Sequence, residues 1–194
     1  MKKLFAMTVL LLFSVLLGIP AAYGQAPETG KTLDILFSHD THSHLNTFTT
    51  VVEDEETDIG GFARANTLIK AQRAKDPDTL VIDGGDFSMG TLIQTVFETQ
   101  AAELRMLGCM GYDVTTFGNH EFDVGQQTLA EAIGYCRFPV ICANMVSENS
   151  PIPQLKPYVI LDREGEKFAF VAAVTNYGYN NHPDGHDAIL EGLR

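Results

Sequence analysis

Apolar and polar residues fall along this chain in blocks whose lengths predict strands followed by helices. Residues 33–38 are a short apolar run that ends in His39-Asp40-Thr41-His42-Ser43-His44. Residues 46–58 are polar and acidic and are expected to form a loop. After Gly60-Gly61, apolar residues at Phe62, Ala65, Leu68 and Ile69 predict a helix to about Lys75, with Pro77 as its stop. Residues 79–83 read as a buried strand leading into Gly84-Gly85-Asp86. A second helix is expected over 91–106, a third strand over 113–117, and a third helix over 125–136. The third strand runs into Gly118-Asn119-His120-Glu121. Further strands are expected at 140–143, 158–162 and 168–174.

Alternating strands and helices imply an α/β fold with a largely parallel sheet. Such sheets place their sites beyond the carboxyl ends of the strands. Each of the first three strands ends in a polar or Gly-plus-polar cluster. Three clusters at the equivalent edge of successive strands argue for one shared site.

The amino terminus has a different pattern. Met1-Lys2-Lys3 precedes a Leu-rich run over 4–17, then Gly18-Ile19-Pro20 and Ala22-Tyr23-Gly24 before Gln25. A positive start, an apolar stretch and small residues at −3 and −1 are the layout of a secretory signal peptide over residues 1–24. An uncleaved anchor is the alternative, but the run is shorter than the roughly 20 residues a span prefers. The expected location is therefore exported, in the cell envelope, periplasm or medium, with no membrane attachment after cleavage.

Charge narrows the class. The 194 residues carry 13 Lys+Arg against 25 Asp+Glu, a formal net charge of −12. Without residues 1–24 the charge is −14 over 170 residues. No basic run exists to neutralise a phosphate backbone, so a nucleic-acid polymer is not an expected partner. An acidic enzyme for phosphate esters would need cations in its site. The three cysteines, Cys109, Cys136 and Cys142, form no C-x-x-C pair, and zinc ligation by them is not expected. Cys109 reads as a small buried residue, and a Cys136–Cys142 bridge is open.

The clusters themselves suit metal chemistry. Asp40 and His42 are two apart, which at an extended strand end points both side chains the same way. A carboxylate with an imidazole suits a borderline divalent ion. Asp86 follows two glycines that let the backbone approach a bound group. Asn119 offers an amide oxygen. His120 and Asp123 share a face if a helical turn starts at Gly118, so Asp123 can orient the imidazole as a general acid. Taken singly, each has an ordinary reading: a wet loop, a turn or N-cap residue, a left-handed Asn, a capping His. Glu121 points elsewhere on the turn and reads as a structural acceptor for local backbone donors.

The ordered series Asp40-x-His42, Gly85-Asp86 and Gly118-Asn119-His120-Glu121 resembles the metallophosphoesterase (calcineurin-like) superfamily. The flanking text 35–45 and 111–123, with Asn144, is similar to its bacterial exported 5′-nucleotidase branch, which includes UDP-sugar hydrolases and 2′,3′-cyclic phosphodiesterases. The resemblance implies a four-layer αββα metallophosphoesterase-type sandwich, incomplete here, with the N-terminal βαβ half present. It implies two divalent metal ions, from among Zn, Mn, Co, Ca or Mg. Asp40 and His42 would hold one, Asp86 would bridge both, and Asn119 would hold the second. His120, oriented by Asp123, would protonate the leaving alkoxide or stabilise the transition state. The substrate would be a nucleotide or another phosphate ester.

Two departures from the family pattern matter. His39 stands where many relatives carry Asn. The family's later metal-binding histidine block is absent, because after residue 123 the only histidines are His182 and His186 in a turn-rich loop. Residues 25–194 are thus expected to be the N-terminal portion of a catalytic domain, without its C-terminal portion or the nucleotide-binding domain. Four ligands shared by two ions leave both short of protein donors. Impaired turnover, or completion by a partner chain, is the expectation. A non-catalytic exported metal- or phosphate-binding or interaction fragment is the alternative, and a cyclic-nucleotide phosphodiesterase is a second.

Overall fold

The computed structural model describes residues 32–145 and 150–175. The chain divides into Met1–Thr32 and Leu33–Arg194, and only the second unit is described below. The signal peptide expected over 1–24 and the turn-rich segment expected around His182 and His186 lie outside the described residues.

Strand β1 (Ile35–Ser38) comes first. Residues 46–58, expected to be a loop, instead build a hairpin of β2 (Phe48–Val52) and β3 (Glu55–Ile59). Its two-residue turn has Glu53 and Asp54 at φ 53° and 66°. That geometry matches the twist of paired strands, yet Glu-Asp is not a usual residue pair for it, so the acidic turn hid β-branched strands. Helix α1 (Phe62–Lys75) follows, burying Phe62 and Ile69. Leu68, expected on its apolar stripe, is exposed. Strand β4 (Leu80–Asp83) comes next, with Leu80 and Val81 almost wholly buried.

The helix expected over 91–106 is broken. A 3₁₀ turn (Leu92–Val96) leads into α2 (Phe97–Gln100) and then α3 (Ala102–Met110). Between them Ala101 takes φ 45° and is fully buried. The kink turns the chain so that Phe97 and Leu104 both enter the core. Gly111 at φ 83° ends α3, with Gly111 N–H donating to Gly108 O and Tyr112 N–H to Leu107 O, a Schellman closure. Residues 120–122 form a second 3₁₀ turn, then α4 (Gln126–Tyr135) packs in the same core. Strands β5 (Tyr158–Arg163) and β6 (Glu166–Val171) close as an antiparallel hairpin.

β1 and β4 pair in parallel, Ile35 opposite Leu80 through Ser38 opposite Asp83. Single parallel bridges carry the sheet on: Ile82 to Val114, Thr115 to Val140, Ile141 to Lys156. The strands expected at 113–117 and 140–143 are therefore reduced to these contacts. Asp113 ties the sheet to its surroundings, accepting from Arg73, Arg163 and Val81 N–H at 2.8, 2.6 and 2.8 Å. Asn144 pins Val174 by two hydrogen bonds, Nδ2 to Val174 O and Val174 N–H to Oδ1.

All three cysteines are free thiols. Cys109 is exposed rather than buried, because on α3 the inward positions are Glu103, Leu104, Leu107 and Met110. Among the described residues no helix is long and apolar enough to cross a membrane.

Candidate metal centre

The parallel register carries the first two clusters to one place. Past the strand ends the two chains continue side by side: Asp40 N–H donates to Gly85 O, His42 N–H to Asp86 O, and Ser43 N–H to Phe87 O. Neither segment is regular. Asp40, His42, Ser43, Asp86 and Met89 all have φ between 43° and 63°. Non-glycine residues in the left-handed region cost on the order of 1 kcal/mol each, and such strain gathers at functional sites.

The consequence is a convergence of donors. Asp40, His42 and Asp86 each place one ligand atom within 4.8 Å of the others. Asp40 Oδ1 lies 3.7 Å from His42 Nε2, while its other oxygen takes His39 Nδ1 at 2.7 Å. His42 Nδ1 sits 2.9 Å from Met89 O and 3.2 Å from Ser88 O. Those carbonyls require a proton on Nδ1, which leaves the Nε2 lone pair free, as ligation of a metal requires. Two carboxylates and one such imidazole suit a borderline divalent cation, so the residues present fit the group.

The third cluster locks onto the second. Asp86 Oδ1 accepts from His120 N–H at 2.9 Å. Gly118 makes room for this: a Cβ there would overlap the Asp86 carboxylate. At Gly85, φ 91°, a Cβ would strike the Phe117–Gly118 backbone. Glu121 is fully buried and takes four donors. Asp86 N–H and Gly118 N–H reach Oε2 at 2.9 and 2.7 Å; Ser88 N–H and Ser88 Oγ reach Oε1 at 3.0 and 2.8 Å. Burial pushes its carboxyl up to about 7, against the pull of the Ser88 and Gly118 donors. It is the local acceptor its position on the turn foretold.

Asn119 lies between two anchored residues, Gly118 bonded to Glu121 and His120 bonded to Asp86. The His120 ring meets the His42 ring edge-on at 5.2 Å. Its Nδ1 is 2.7 Å from Asp123 Oδ2, and this hydrogen bond is the main reason its pKa is raised above the ordinary value. A cavity of about 620 Å³ opens beside Asp40 between the β2–β3 hairpin and α1.

Four supporting groups escaped the sequence reading. Asp83, buried below the site, accepts from Ser38, Gly85 N–H and Thr115, and burial raises its pKa. Ser88 and the Met89 carbonyl hold Glu121 and His42. Glu103 receives Ser43 Oγ at 2.5 Å. Only Glu103 left a trace in the sequence: it occupies an apolar stripe position with Leu107 and Met110.

Asp40, His42 and Asp86 thus gather beyond the ends of parallel strands of an α/β fold, as a candidate divalent-metal site with a carboxylate-held His beside it. The model of the calcineurin-like phosphoesterase family matches residues 34–191, and the chain belongs to that family. It is 32% identical over 196 aligned residues to the NAD 5′-nucleotidase of Haemophilus influenzae, covering 96% of this chain and 32% of that one. Rat 5′-nucleotidase is 31% identical over 151 residues, covering 72% and 25%. The Haemophilus influenzae NAD nucleotidase structure superposes with a TM-score of 0.72 at 33% identity, over 81% of this chain and 32% of that chain. A 5′-nucleotidase precursor from Thermus thermophilus gives 0.70 at 29% identity, over 78% and 31%. The chain thus spans about a quarter to a third of the length of these relatives.

Proposed function

We propose that this chain carries the amino-terminal part of a site that hydrolyses phosphate esters of nucleotides, as a 5′-nucleotidase does. The observation that carries the reading is the meeting of Asp40, His42 and Asp86 within 4.8 Å, with the His120–Asp123 pair alongside. Asp40 and His42 would hold one divalent ion, Asp86 would bridge to a second, and Asn119 would help hold that second ion. Ions bound there supply charge neutralisation for phosphoryl oxygens and acidify a bound water. The chain's own residues do the rest. Met89 O fixes the His42 tautomer. Asp123 fixes His120 by Nδ1 and stabilises its protonated form, so Nε2 presents a proton to the leaving alkoxide. His120 N–H holds the Asp86 carboxylate, and Glu121 holds the Asp86 backbone N–H.

The signal-peptide pattern of residues 1–24 supports an activity outside the cytoplasm. The test is phosphate release from AMP by the full chain in a titration of Mn²⁺ or Zn²⁺, with Asp86→Ala and His120→Ala as controls. Turnover that needs metal and vanishes in both variants supports the reading. UDP-glucose and a 2′,3′-cyclic nucleotide in parallel assign the substrate within the class. A second reading rests on the small donor set: among the described residues, four candidate ligands, Asn119 included, would serve two ions. Under it the chain binds a divalent ion stoichiometrically and turns nothing over.

A further inference from the structure

Glu103 is the one acid on the buried face of α3, and the proposed chemistry does not use it. Its side chain is fully buried. Oε1 accepts Ser43 Oγ at 2.5 Å, and Oε2 has no hydrogen-bond partner among the described residues. A carboxyl held there is costly unless its hydrogen bond is needed. The first turn of α3 offsets part of that cost through the helix dipole.

The partner explains the need. Ser43 is also fully buried and is clamped at every polar group. Its N–H donates to Phe87 O at 2.9 Å, its carbonyl accepts Thr91 Oγ1 at 2.7 Å, and its hydroxyl goes to Glu103. It directly follows His42, and the two stand in successive left-handed conformations, φ 43° and 54°. Nothing in an L-residue favours that pair of dihedrals, so external bonds must hold it. Released, the backbone relaxes toward an ordinary region and swings the His42 imidazole away from Met89 O, Asp40 and Asp86.

We propose that Glu103 is a positioning residue for the metal centre, clamping Ser43 and through it holding His42 in the left-handed backbone that aims its Nε2 at Asp40 and Asp86. The inference rests on the reading of Asp40, His42 and Asp86 as metal ligands. What it requires of residue 103 is an acceptor for the Ser43 hydroxyl, and not a charge.

Calorimetric titration of the full chain with Mn²⁺ tests it, alongside Glu103→Ala, Glu103→Gln, Ser43→Ala and His42→Ala. Supporting partners of metal ligands shift affinity by 10- to 100-fold. Glu103→Ala and Ser43→Ala are each expected to weaken Mn²⁺ binding by about tenfold. The double variant should be no weaker than either single one, since both cut the same bond. Glu103→Gln keeps an acceptor and should stay within about threefold of the native affinity, a rescue that loss of packing alone would not give. If Glu103→Ala fails to fold, Ser43→Ala against Glu103→Gln carries the test. Native Mn²⁺ affinity in Ser43→Ala overturns the inference while leaving the metal site intact. No difference between the native chain and His42→Ala overturns the metal reading and the inference with it.

Discussion

Replacing Glu121 by Gln is a one-atom change whose cost can be worked out from the bonds around it. Each carboxylate oxygen takes two donors: Asp86 N–H and Gly118 N–H on one, Ser88 N–H and Ser88 Oγ on the other. Gln keeps one acceptor oxygen and turns the other into a donor. The amide should face its NH₂ toward Ser88, because that hydroxyl can rotate and accept while the three backbone amides cannot. Ser88 N–H is then stranded in a buried site, at about 1–3 kcal/mol. The bonds that survive lose their charged acceptor, which removes about another 1 kcal/mol. At pH 8, above the value of about 7 to which burial lifts Glu121, the native group is ionised and the comparison is with a carboxylate. The total is roughly 2–4 kcal/mol. For a chain of this length 1 kcal/mol shifts Tm by about 3 °C, so Tm should fall by roughly 6–12 °C at pH 8. Calorimetry or circular dichroism reads this directly. A Tm within about 2 °C of native would refute the reasoning. It would show that the four donors are satisfied equally well by a neutral group.

Other consequences follow from the same geometry. Gly118→Ala puts a methyl group into the Asp86 carboxylate; overpacking of this kind costs about 1–3 kcal/mol, and Mn²⁺ affinity should drop at least about tenfold, whereas unchanged binding would show that Asp86 is not a ligand. Asp123→Ala removes the largest cause of the raised His120 pKa, so the His120 titration followed by NMR should move to lower pH, and a titration that stays put would remove Asp123 from its orienting role. Burial raises the Glu103 pKa above its ordinary 4.5. The folded chain therefore holds that proton more tightly than the unfolded one, and the associated stability is full below pH 4.5 and is lost as pH rises through the folded value. Glu103→Gln should remove this contribution, so urea midpoints of the native chain relative to the variant should decline as pH rises above 4.5.

How much of this was legible in the sequence depends on whether a feature is carried by side-chain identity or by backbone dihedrals. The run 62–75 was read to its observed limits because its apolar spacing, its preceding glycines and Pro77 agree with one another. The carboxyl-edge site was legible for a similar reason: in a parallel pair, one register sets every strand end, and Ser38 opposite Asp83 puts residues 40–42 beside 85–86. The β2–β3 hairpin was hidden, since its turn is made by Glu53 and Asp54 at positive φ and residue type gives no sign of that. The break at Ala101 was hidden likewise, because alanine is the residue least expected to leave a helix.

The same distinction governs the site. The candidate ligands announce themselves as Asp, His, Asp and Asn, but what aims them does not. His42 depends on a carbonyl, Met89 O, which every residue type possesses. Ser43 and Asp86 depend on left-handed backbone that neither residue prefers. The devices that hold those dihedrals are two buried acids, Glu121 and Glu103, one on the motif and one on a helix about sixty positions from the serine it holds. A buried carboxylate is worth its desolvation only where several donors need a common acceptor or where one dihedral must be fixed. Glu121 meets the first condition and Glu103 the second. Glu121→Gln should therefore cost mainly folding stability, and Glu103→Ala should cost metal affinity that Glu103→Gln restores. One protein measured by both calorimetric methods separates the two roles.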